Sequence, residues 1–415
     1  MKTLKRILLF FLLPLIVIIL AVLIYVSIGF GKLQFKDLFP VTDDYAAFYP
    51  ETYDDARQDF RDITASLSDH YNNVMITSIV VPSGTHNDLT IDICYVPAQK
   101  DSANLLILSS GIHGVEGFVG HAAQQLFIRD YLSEQLLENT GVLLIHGVNP
   151  YGFMFNRRVT ENNVDLNRNS PSTPDLYQTI NDGYPIIYDL INPKGKVNRK
   201  SLENRFFFVK AINEIRKASL PVLRQAVLQG QYQFPEGLYF GGTQPEPQIE
   251  ALEPFLSAWC QPYEKILAID LHTGYGERGK LHFFPNPLEE PQKSMLENLF
   301  EGYTIDWGDS EDFYIVTGQF VEFIGALTPG KEYYPMVFEY GTLNSQTTMG
   351  SIKSLHVMIL ENQGKRHGYK TTRDSLQVKH DLREMYYPSS ENWRNFILDQ
   401  TSEVFHNILP RFTSP

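Results

Sequence analysis

Three short aliphatic runs, each followed by polar residues and a turn, constrain the fold more than any other feature of the sequence. The runs are "NLLILSSG" (104–111), "GVLLIHGVNP" (141–150) and "EKILAIDLHTG" (264–274). A continuous apolar run of this length is typical of a strand that is covered on both faces. Because "GFVGHAAQQLFIRDYL" (117–132) has helical spacing between the first two runs, the order indicates βαβ units and parallel pairing. The prediction is an α/β fold with a mainly parallel mixed sheet and helices on both faces.

The domain that contains these runs is predicted to extend from residue 51 to residue 415. Near its start, "VMITSIVVP" and "LTIDICYVP" predict two paired strands. Residues 33–50 are predicted to be a linker. From about 170 to 250 the alternation of strands and helices is lost, and a stretch rich in Pro, Asn and Tyr is followed by helix-like sequence. This region indicates a large insertion or cap on the same domain.

A long apolar stretch precedes the domain. Uncharged residues run from Ile7 to Gly31, after the basic residues Lys2, Lys5 and Arg6. At ~1.5 Å rise per residue, about 20 helical residues span a bilayer core of roughly 30 Å. The length of the run and the lack of a small-residue cleavage site favour an uncleaved signal anchor at residues 1–32 over a secretory signal. The leading basic residues favour a cytoplasmic N-terminus and a catalytic domain outside the cytoplasm, although lysines after the run weaken that asymmetry.

The charge balance and the cysteine count exclude some classes of partner and site. The chain has 35 basic and 48 acidic residues, a net charge of −13, whereas phosphate binding requires clustered cations. We therefore expect no nucleic-acid partner. The two cysteines, Cys94 and Cys260, are too few for a disulfide framework or a Cys-based zinc site, and the sequence leaves open whether they pair with each other.

Side chains capable of metal binding follow the predicted strands. His113 and Glu116 come directly after the first run, and His272 ends the run at 264–274. Ligands of open α/β sheets bind at the carboxyl ends of the strands, so these side chains should meet at one edge of the sheet. A catalytic zinc site uses three His or carboxylate ligands and leaves a fourth position open. The sequence therefore predicts one Zn²⁺ per chain, bound by His113, Glu116 and His272.

Three further residues complete the chemistry of a hydrolase. Glu339, in "MVFEYGT", is a carboxylate without a local partner and is suited to be a general base for water. Arg158, which ends "NPYGFMFNRR", could stabilise an oxyanion. Arg168, in "NVDLNRN", could grip a substrate carboxylate in bidentate fashion. His121 is excluded as a ligand because its position faces away from Glu116 on a helix.

The ordered series H-x-x-E, N-P…R…D-L-N-R, D-L-H-T and F-E-x-G resembles the zinc metallocarboxypeptidase superfamily. That superfamily includes carboxypeptidase A-like enzymes and the succinylglutamate desuccinylase/aspartoacylase branch. The resemblance covers roughly residues 75–360, and "SSGIHGVEGFVG" and "NPYGF" look most like a bacterial group within it.

The resemblance implies roles for further residues. It implies that Asp165 orients a ligand histidine and that Asn167 and Arg168 form a carboxylate-binding pair. It leaves open whether Arg157 or Arg158 is the oxyanion residue. It also leaves open which tyrosine approaches the substrate, with three candidates: Tyr239, Tyr275 and Tyr314.

These motifs indicate a membrane-anchored zinc hydrolase that cleaves an amide bond next to a free carboxylate. A metallocarboxypeptidase acting on peptides is the first expectation, and an N-acyl-amino-acid deacylase is the alternative within the same class. A non-catalytic binding protein on the same fold is a second class. The presence of Glu339 beside a complete ligand set favours the enzyme, because a binding relic would often have lost one of these residues.

Overall fold

The computed structural model describes residues 11–23, 33–100, 104–218, 220–285, 288–307 and 316–413. None of the helices in these ranges has both the length and the hydropathy needed to cross a membrane. Of the expected anchor, residues 11–23 are helical (α1) with exposed apolar side chains. Residues 1–10 and 24–32 lie outside the described residues, so the anchor stays a prediction.

The described part of the chain forms one seven-stranded sheet with the strand order β1-β2-β4-β3-β5-β7-β6. The four central strands β4, β3, β5 and β7 pair in parallel, whereas β1, β2 and β6 are joined by antiparallel pairings. The sheet is therefore mixed, with a parallel centre and antiparallel margins. The strands are Met75–Val80 (β1), Thr90–Val96 (β2), Asn104–Ser110 (β3), Thr140–His146 (β4), Lys265–Thr273 (β5), Leu281–Phe283 (β6) and Glu332–Tyr340 (β7).

The helices surround this sheet, and some of them form the predicted insertion. They begin at α2, whose N-terminal Thr52 forms a capping box with Asp55. The helices are Tyr53–Leu67 (α2), Gly117–Asp130 (α3), Glu134–Leu137 (α4), Pro150–Met154 (α5), Tyr184–Ile191 (α6), Leu202–Arg205 (α7), Phe207–Ala218 (α8), Leu220–Leu228 (α9), Pro247–Cys260 (α10), Gln292–Leu299 (α11), Phe320–Ala326 (α12), Thr348–His367 (α13), Thr372–Tyr386 (α14) and Glu391–Thr413 (α15).

Helices cover both faces of the sheet, as the apolar strands predict. Gly120 of α3 packs against Ser110 and Leu271 on one face. On the other face, the Tyr333 hydroxyl of β7 donates a hydrogen bond to the Val321 carbonyl of α12. Since successive side chains of a strand alternate between faces, the residues next to Leu271 point to the α12 face. That face carries the polar side chains described below.

The region 170–250 contains helices α6 to α9, which pack with α13 and α14 around a second apolar core. The segment 33–50, expected to be a linker, lies against the domain. The Leu33 amide donates to Asp381 at 3.2 Å, and the guanidinium of Arg278 donates to both oxygens of Asp37 at 2.8 and 2.7 Å. Both cysteines are buried and unpaired.

Candidate active site

Three buried side chains that can bind a metal meet at the carboxyl ends of the parallel strands. His113 follows β3, Glu116 lies in the 3-10 turn Gly114–Glu116, and His272 lies near the end of β5. Nδ1 of His113 is 3.0 Å from Oε1 of Glu116, and Nδ1 of His272 is 3.1 Å from Oε2 of Glu116. The two Nδ1 atoms are 3.1 Å apart. Three ligand atoms lie within 4.8 Å of one another, so these residues can hold one metal ion.

Both histidines are fixed by a carboxylate on the opposite ring nitrogen. Nε2 of His113 lies 3.1 Å from Oδ1 of Asp165, and Nε2 of His272 lies 2.7 Å from Oδ2 of Asp270. An Nε2–H that donates to a carboxylate leaves the Nδ1 lone pair free for a metal. The Ser109 hydroxyl donates to the other oxygen of Asp270 at 2.6 Å, which holds that carboxylate in turn. The donor set therefore fits a zinc ion bound through both Nδ1 atoms and Glu116.

Electrostatics keep the centre charged despite its burial. Burial alone would raise the pKa of Glu116, but His113 and His272 hold it well below its usual range. Burial likewise acts to raise the pKa of Asp165, while Arg158 and His113 lower it further than burial raises it. Burial lowers the pKa of His272, and Asp270 with Glu116 more than compensates. The carboxylates are thus ready to bind a cation at neutral pH.

Glu339 lies beside the metal-binding residues without belonging to the group of three. It is the partner of His272 in the parallel pairing of β5 with β7. The Tyr275 amide donates to its Oε1 at 2.8 Å. Burial, and then the charge of Glu116, raises the pKa of Glu339 to about 8. A carboxyl group of this kind can accept and return a proton near neutral pH.

The two adjacent arginines point to different surroundings. Nε of Arg158 donates to Oδ2 of Asp165 at 2.9 Å, and its Nη1 lies 3.4 Å from Oε1 of Glu116. Arg157 instead forms a buried ion pair with Glu361, with donor–acceptor distances of 2.9 and 3.3 Å. Arg158 lines the cavity at the metal-binding residues, and Arg157 is not among the lining residues. The geometry thus makes Arg158 the arginine available to an oxyanion.

Asn167 and Arg168 also line this cavity. The Asn167 side-chain oxygen accepts a hydrogen bond from the Phe320 amide at 2.9 Å. The Arg168 guanidinium donates to the Leu228 carbonyl at 3.1 and 2.6 Å and to the Asn167 carbonyl at 2.8 Å. The Tyr239 ring lies between the two arginines, 5.2 Å from the guanidinium of Arg158 and 5.6 Å from that of Arg168. Part of the donor capacity of Arg168 is therefore used to hold the backbone, and the rest borders the cavity.

The loop that carries His113 and Glu116 is joined to the arginine segment by its backbone. The Gly114 amide donates to the Arg158 carbonyl at 3.2 Å, and the Val115 amide donates to the Arg157 carbonyl at 2.9 Å. A Cβ atom on Gly114 would lie 2.1 Å from the backbone of Gly152 in α5. Position 114 accordingly requires glycine, because a larger residue would push the two segments apart.

A family model described as "Protein of unknown function (DUF2817)" matches residues 49–400. The chain belongs to this DUF2817 family. A search of curated proteins finds no match.

Solved structures that are similar to this DUF2817 chain include proteins described as carboxypeptidases. Bovine thrombin-activatable fibrinolysis inhibitor, in complex with tick carboxypeptidase inhibitor, is 17% identical with a TM-score of 0.43, over 77% of this chain and 98% of that one. Carboxypeptidase A from Helicoverpa armigera is 13% identical with a TM-score of 0.39, over 78% and 74%. A metallo-carboxypeptidase from Pseudomonas aeruginosa is 12% identical with a TM-score of 0.35, over 74% and 68%.

A cavity of about 200 Å³ opens at the metal-binding residues of the DUF2817 chain. One side of it is polar and consists of the site residues described above. The other side is aliphatic and comes mainly from the insertion and from α13, through Ile187, Leu190, Ile191, Ala211, Ile215, Leu223, Val227, Leu228, Ile352, Leu355 and Met358. The insertion therefore forms a wall of the site.

Two site residues of this DUF2817 chain are missing from the sequence-based set. Asp270 precedes His272 by two positions, and the alternation of side chains along a strand could have identified it as a neighbour on the same face. Tyr386, from the end of α14, lines the cavity together with Arg158, and no local motif marks it.

The tyrosines and histidines considered from the sequence have varied positions. Tyr239 and Tyr275 both line the cavity, and Tyr314 lies outside the described residues. His121 and His146 form a buried pair outside the metal-binding group, with Nδ1 of His121 lying 3.1 Å from Nε2 of His146. His282 accepts a hydrogen bond from the Glu277 amide at 3.0 Å.

Proposed function

We propose that this DUF2817 protein is a zinc-dependent hydrolase that cleaves an amide bond next to a free carboxylate. The observation that carries the proposal is the convergence of His113, Glu116 and His272 on one point, with Glu339 beside them on the neighbouring strand. Two histidines and one glutamate form a ligand set of catalytic zinc sites that keep an open position. Both histidines have a carboxylate on the second nitrogen, as metal-binding histidines usually do.

When bound at this site, zinc supplies a Lewis acid for the carbonyl oxygen and for water, together with a positive charge near Glu339. Glu339 takes the proton of the attacking water and returns it to the leaving amine. Arg158 donates to the oxygen that becomes negative in the tetrahedral state, and Asp165 holds its guanidinium in position. Tyr386 lines the cavity together with the same arginine.

The substrate is recognised at the other end of the cavity. Asn167 and the donors of Arg168 that border the cavity bind the free carboxylate of the substrate. The aliphatic wall receives an apolar group, since burying apolar surface stabilises a complex in proportion to the area removed from water. A metallocarboxypeptidase acting on peptides is the function that we propose first.

The alternative is an N-acyl-amino-acid deacylase. The observation in its favour is again the aliphatic wall, because an acyl chain would fit such a surface as well as an apolar amino-acid side chain would. A non-catalytic binding protein is the remaining alternative, and the experiment below separates it from both enzymes.

The proposed location of the protein is the membrane. An anchor within residues 1–32 would hold the catalytic domain outside the cytoplasm, supported by the uncharged run from Ile7 to Gly31 and the basic residues before it. The orientation can be tested with a reporter that is active only in the cytoplasm, fused after residue 40. Activity of this fusion would contradict the proposed orientation.

The test of the function uses the full chain, purified and analysed for metal. We expect about one zinc per chain and hydrolysis of peptides or N-acyl amino acids with a free carboxylate. Matched substrates with an amidated carboxyl group should react much more slowly, because they cannot pair with Arg168. A protein that binds zinc and these ligands but hydrolyses neither class would be a binding protein. Hydrolysis that is unaffected by chelation would contradict the metal mechanism.

A further inference from the structure

One stretch of the insertion carries a charge opposite to that of the chain as a whole. Residues 194–224 contain nine Lys or Arg and two Glu, a net charge of +7, in a protein whose total is −13. Seven of these cations are exposed: Lys194, Lys196, Lys200, Arg205, Lys210, Arg216 and Lys217. A cationic stretch of this kind on an acidic protein attracts a polyanionic surface. The net negative charge of the whole chain is unfavourable for binding to nucleic acid.

Large apolar side chains are exposed among and beside these cations. Ile186 of α6 is 73% exposed and Leu202 of α7 is 71% exposed, although isoleucine and leucine are usually buried. Further exposed members of the group are Ile180, Phe206, Val209 and Val222. Exposed apolar side chains that alternate with cations along the chain, as on α7 and α8 here, are typical of segments that lie in the interface of an anionic bilayer.

Helices α6, α8 and α9 also have an inner face, which lines the cavity. Ile187 of α6, Ile215 of α8 and Val227 of α9 line the cavity, and Ile186 and Val209 point to solvent on the same helices. The exposed apolar side chains therefore do not contribute to the core, and their exposure is a property of the outer surface.

The described chain that follows the N-terminal apolar run begins at this same part of the molecule, with Leu33. Oδ1 of Asp381 accepts a hydrogen bond from the Leu33 amide at 3.2 Å, and Oδ2 accepts one from Arg199 of the cationic stretch at 3.0 Å. Leu33 also packs in the apolar core of the insertion. One carboxylate thus joins the cationic stretch to Leu33, two residues after the run expected to enter a membrane.

We propose that the outer surface of the insertion, formed by the exposed cations of 194–217 and the exposed apolar side chains between Ile180 and Val222, docks on an anionic lipid bilayer. This surface is distinct from the anchor and goes beyond the proposed hydrolase function. The cations lie at the level of the lipid phosphates, and the apolar side chains enter the interface. Docking brings the wall of the substrate cavity to the lipid surface.

The test places a polarity-sensitive fluorophore on the surface of the full chain. The label is attached through I186C, and a matched label through I76C reports on β1, an edge strand of the sheet outside the insertion. Both native cysteines are buried, and burial raises the pKa of each thiol to about 12, so labelling is directed to the introduced thiol. The proteins are reconstituted into phosphatidylcholine vesicles with and without phosphatidylglycerol.

We expect a blue-shifted emission and several-fold less quenching by aqueous iodide for the I186C label on the anionic vesicles only. The I76C label should stay water-exposed on both. High salt, and the triple substitution K196E/K200E/K210E, should each reverse the I186C signal, because the attraction is screened or inverted. The salt titration needs no charge variant, so it decides the question even if the triple variant folds poorly.

An I186C label that is as water-exposed as the I76C label on anionic vesicles would overturn the proposal, and would leave an acidic protein as the occupant of the surface. A signal equal on neutral and anionic vesicles would also overturn it, since the anchor alone would then explain the proximity. Neither outcome depends on hydrolysis, so failure here is separate from failure of the proposed function.

Discussion

His272 and Glu339 lie directly opposite each other on the neighbouring parallel strands β5 and β7, near the carboxyl ends of both strands. The side chains of such a pair lie on the same face of the sheet. One of them belongs to the metal-binding group, and the other does not. A ligand and a base are therefore held side by side by the backbone pairing of the sheet.

Replacing Glu339 with Gln should remove the base while keeping the shape of the side chain. We expect kcat to fall by about 10²–10⁴-fold, the usual contribution of general acid–base catalysis. The zinc content should stay near that of the wild type because the three ligands are unchanged. Loss of zinc from E339Q would make Glu339 a ligand, and full activity would leave the mechanism without its base.

Replacing His113 or His272 with Ala should abolish stoichiometric zinc, since each change leaves only two protein ligands. The measurement is metal analysis after dialysis at micromolar zinc. H86A, which removes a partly exposed histidine outside the group, is the control and should bind zinc normally. Full zinc content in both H113A and H272A would show that the metal centre is elsewhere.

Asp270 should act as a positioning residue for His272. D270A removes the acceptor that lies 2.7 Å from Nε2 of His272, so the imidazole loses its orientation. Zinc affinity should fall by about 10–100-fold, the usual effect of removing such a partner. Competition with a chelator measures this affinity. D270N, which keeps a side-chain oxygen, should recover part of it, whereas an unchanged affinity in D270A would assign Asp270 to packing alone.

The two arginines of the cavity should differ in their kinetic effects. R158A should lower kcat by about 10²–10³-fold, since it removes a donor to the developing oxyanion. R168A should raise KM more than it lowers kcat, because the substrate carboxylate is bound in the ground state as well. Steady-state kinetics on one carboxylate substrate separates them. The reverse pattern would exchange the two roles.

The buried ion pair of Arg157 with Glu361 should govern acid stability. Burial acts to raise the pKa of Glu361, but Arg157 and Lys379 lower it to about 2. Because the folded pKa lies below the unfolded value of about 4.3, the ionised carboxylate stabilises the fold fully above that value. The contribution is lost as the pH falls from about 4.3 toward 2.

Substituting E361A should therefore cost about 3–5 kcal/mol in the free energy of unfolding at pH 7, the usual cost of breaking a buried pair. Denaturant unfolding between pH 3 and pH 7 measures both effects, and the variant should lose part of the pH dependence below 4.3. E138Q, at a pair that is about half exposed, should cost about 1 kcal/mol or less. Equal effects for the two variants would contradict this account.

Sequence reasoning was effective for residues that lie next to strong local patterns. The aliphatic runs predicted β3, β4 and β5, and His113, Glu116 and His272 were expected to converge because all three lie at strand ends. The pairing of β1 with β2 was predicted and is confirmed, but the order of the strands across the sheet was not predicted, because it depends on long-range contacts that no short segment encodes. Tyr386 was missed for the same reason: it reaches Arg158 from a helix 228 residues farther along the chain.

The fixed contact between Gly114 and the segment at Gly152 has a mechanical consequence. Two backbone hydrogen bonds join the loop of His113 and Glu116 to Arg157 and Arg158, and there is no room for a side chain between the segments. The groups that would hold the metal and the group that would meet the oxyanion therefore belong to one rigid body. The backbone, rather than a side-chain contact, sets the spacing of the two segments, and that spacing involves no residue of the insertion.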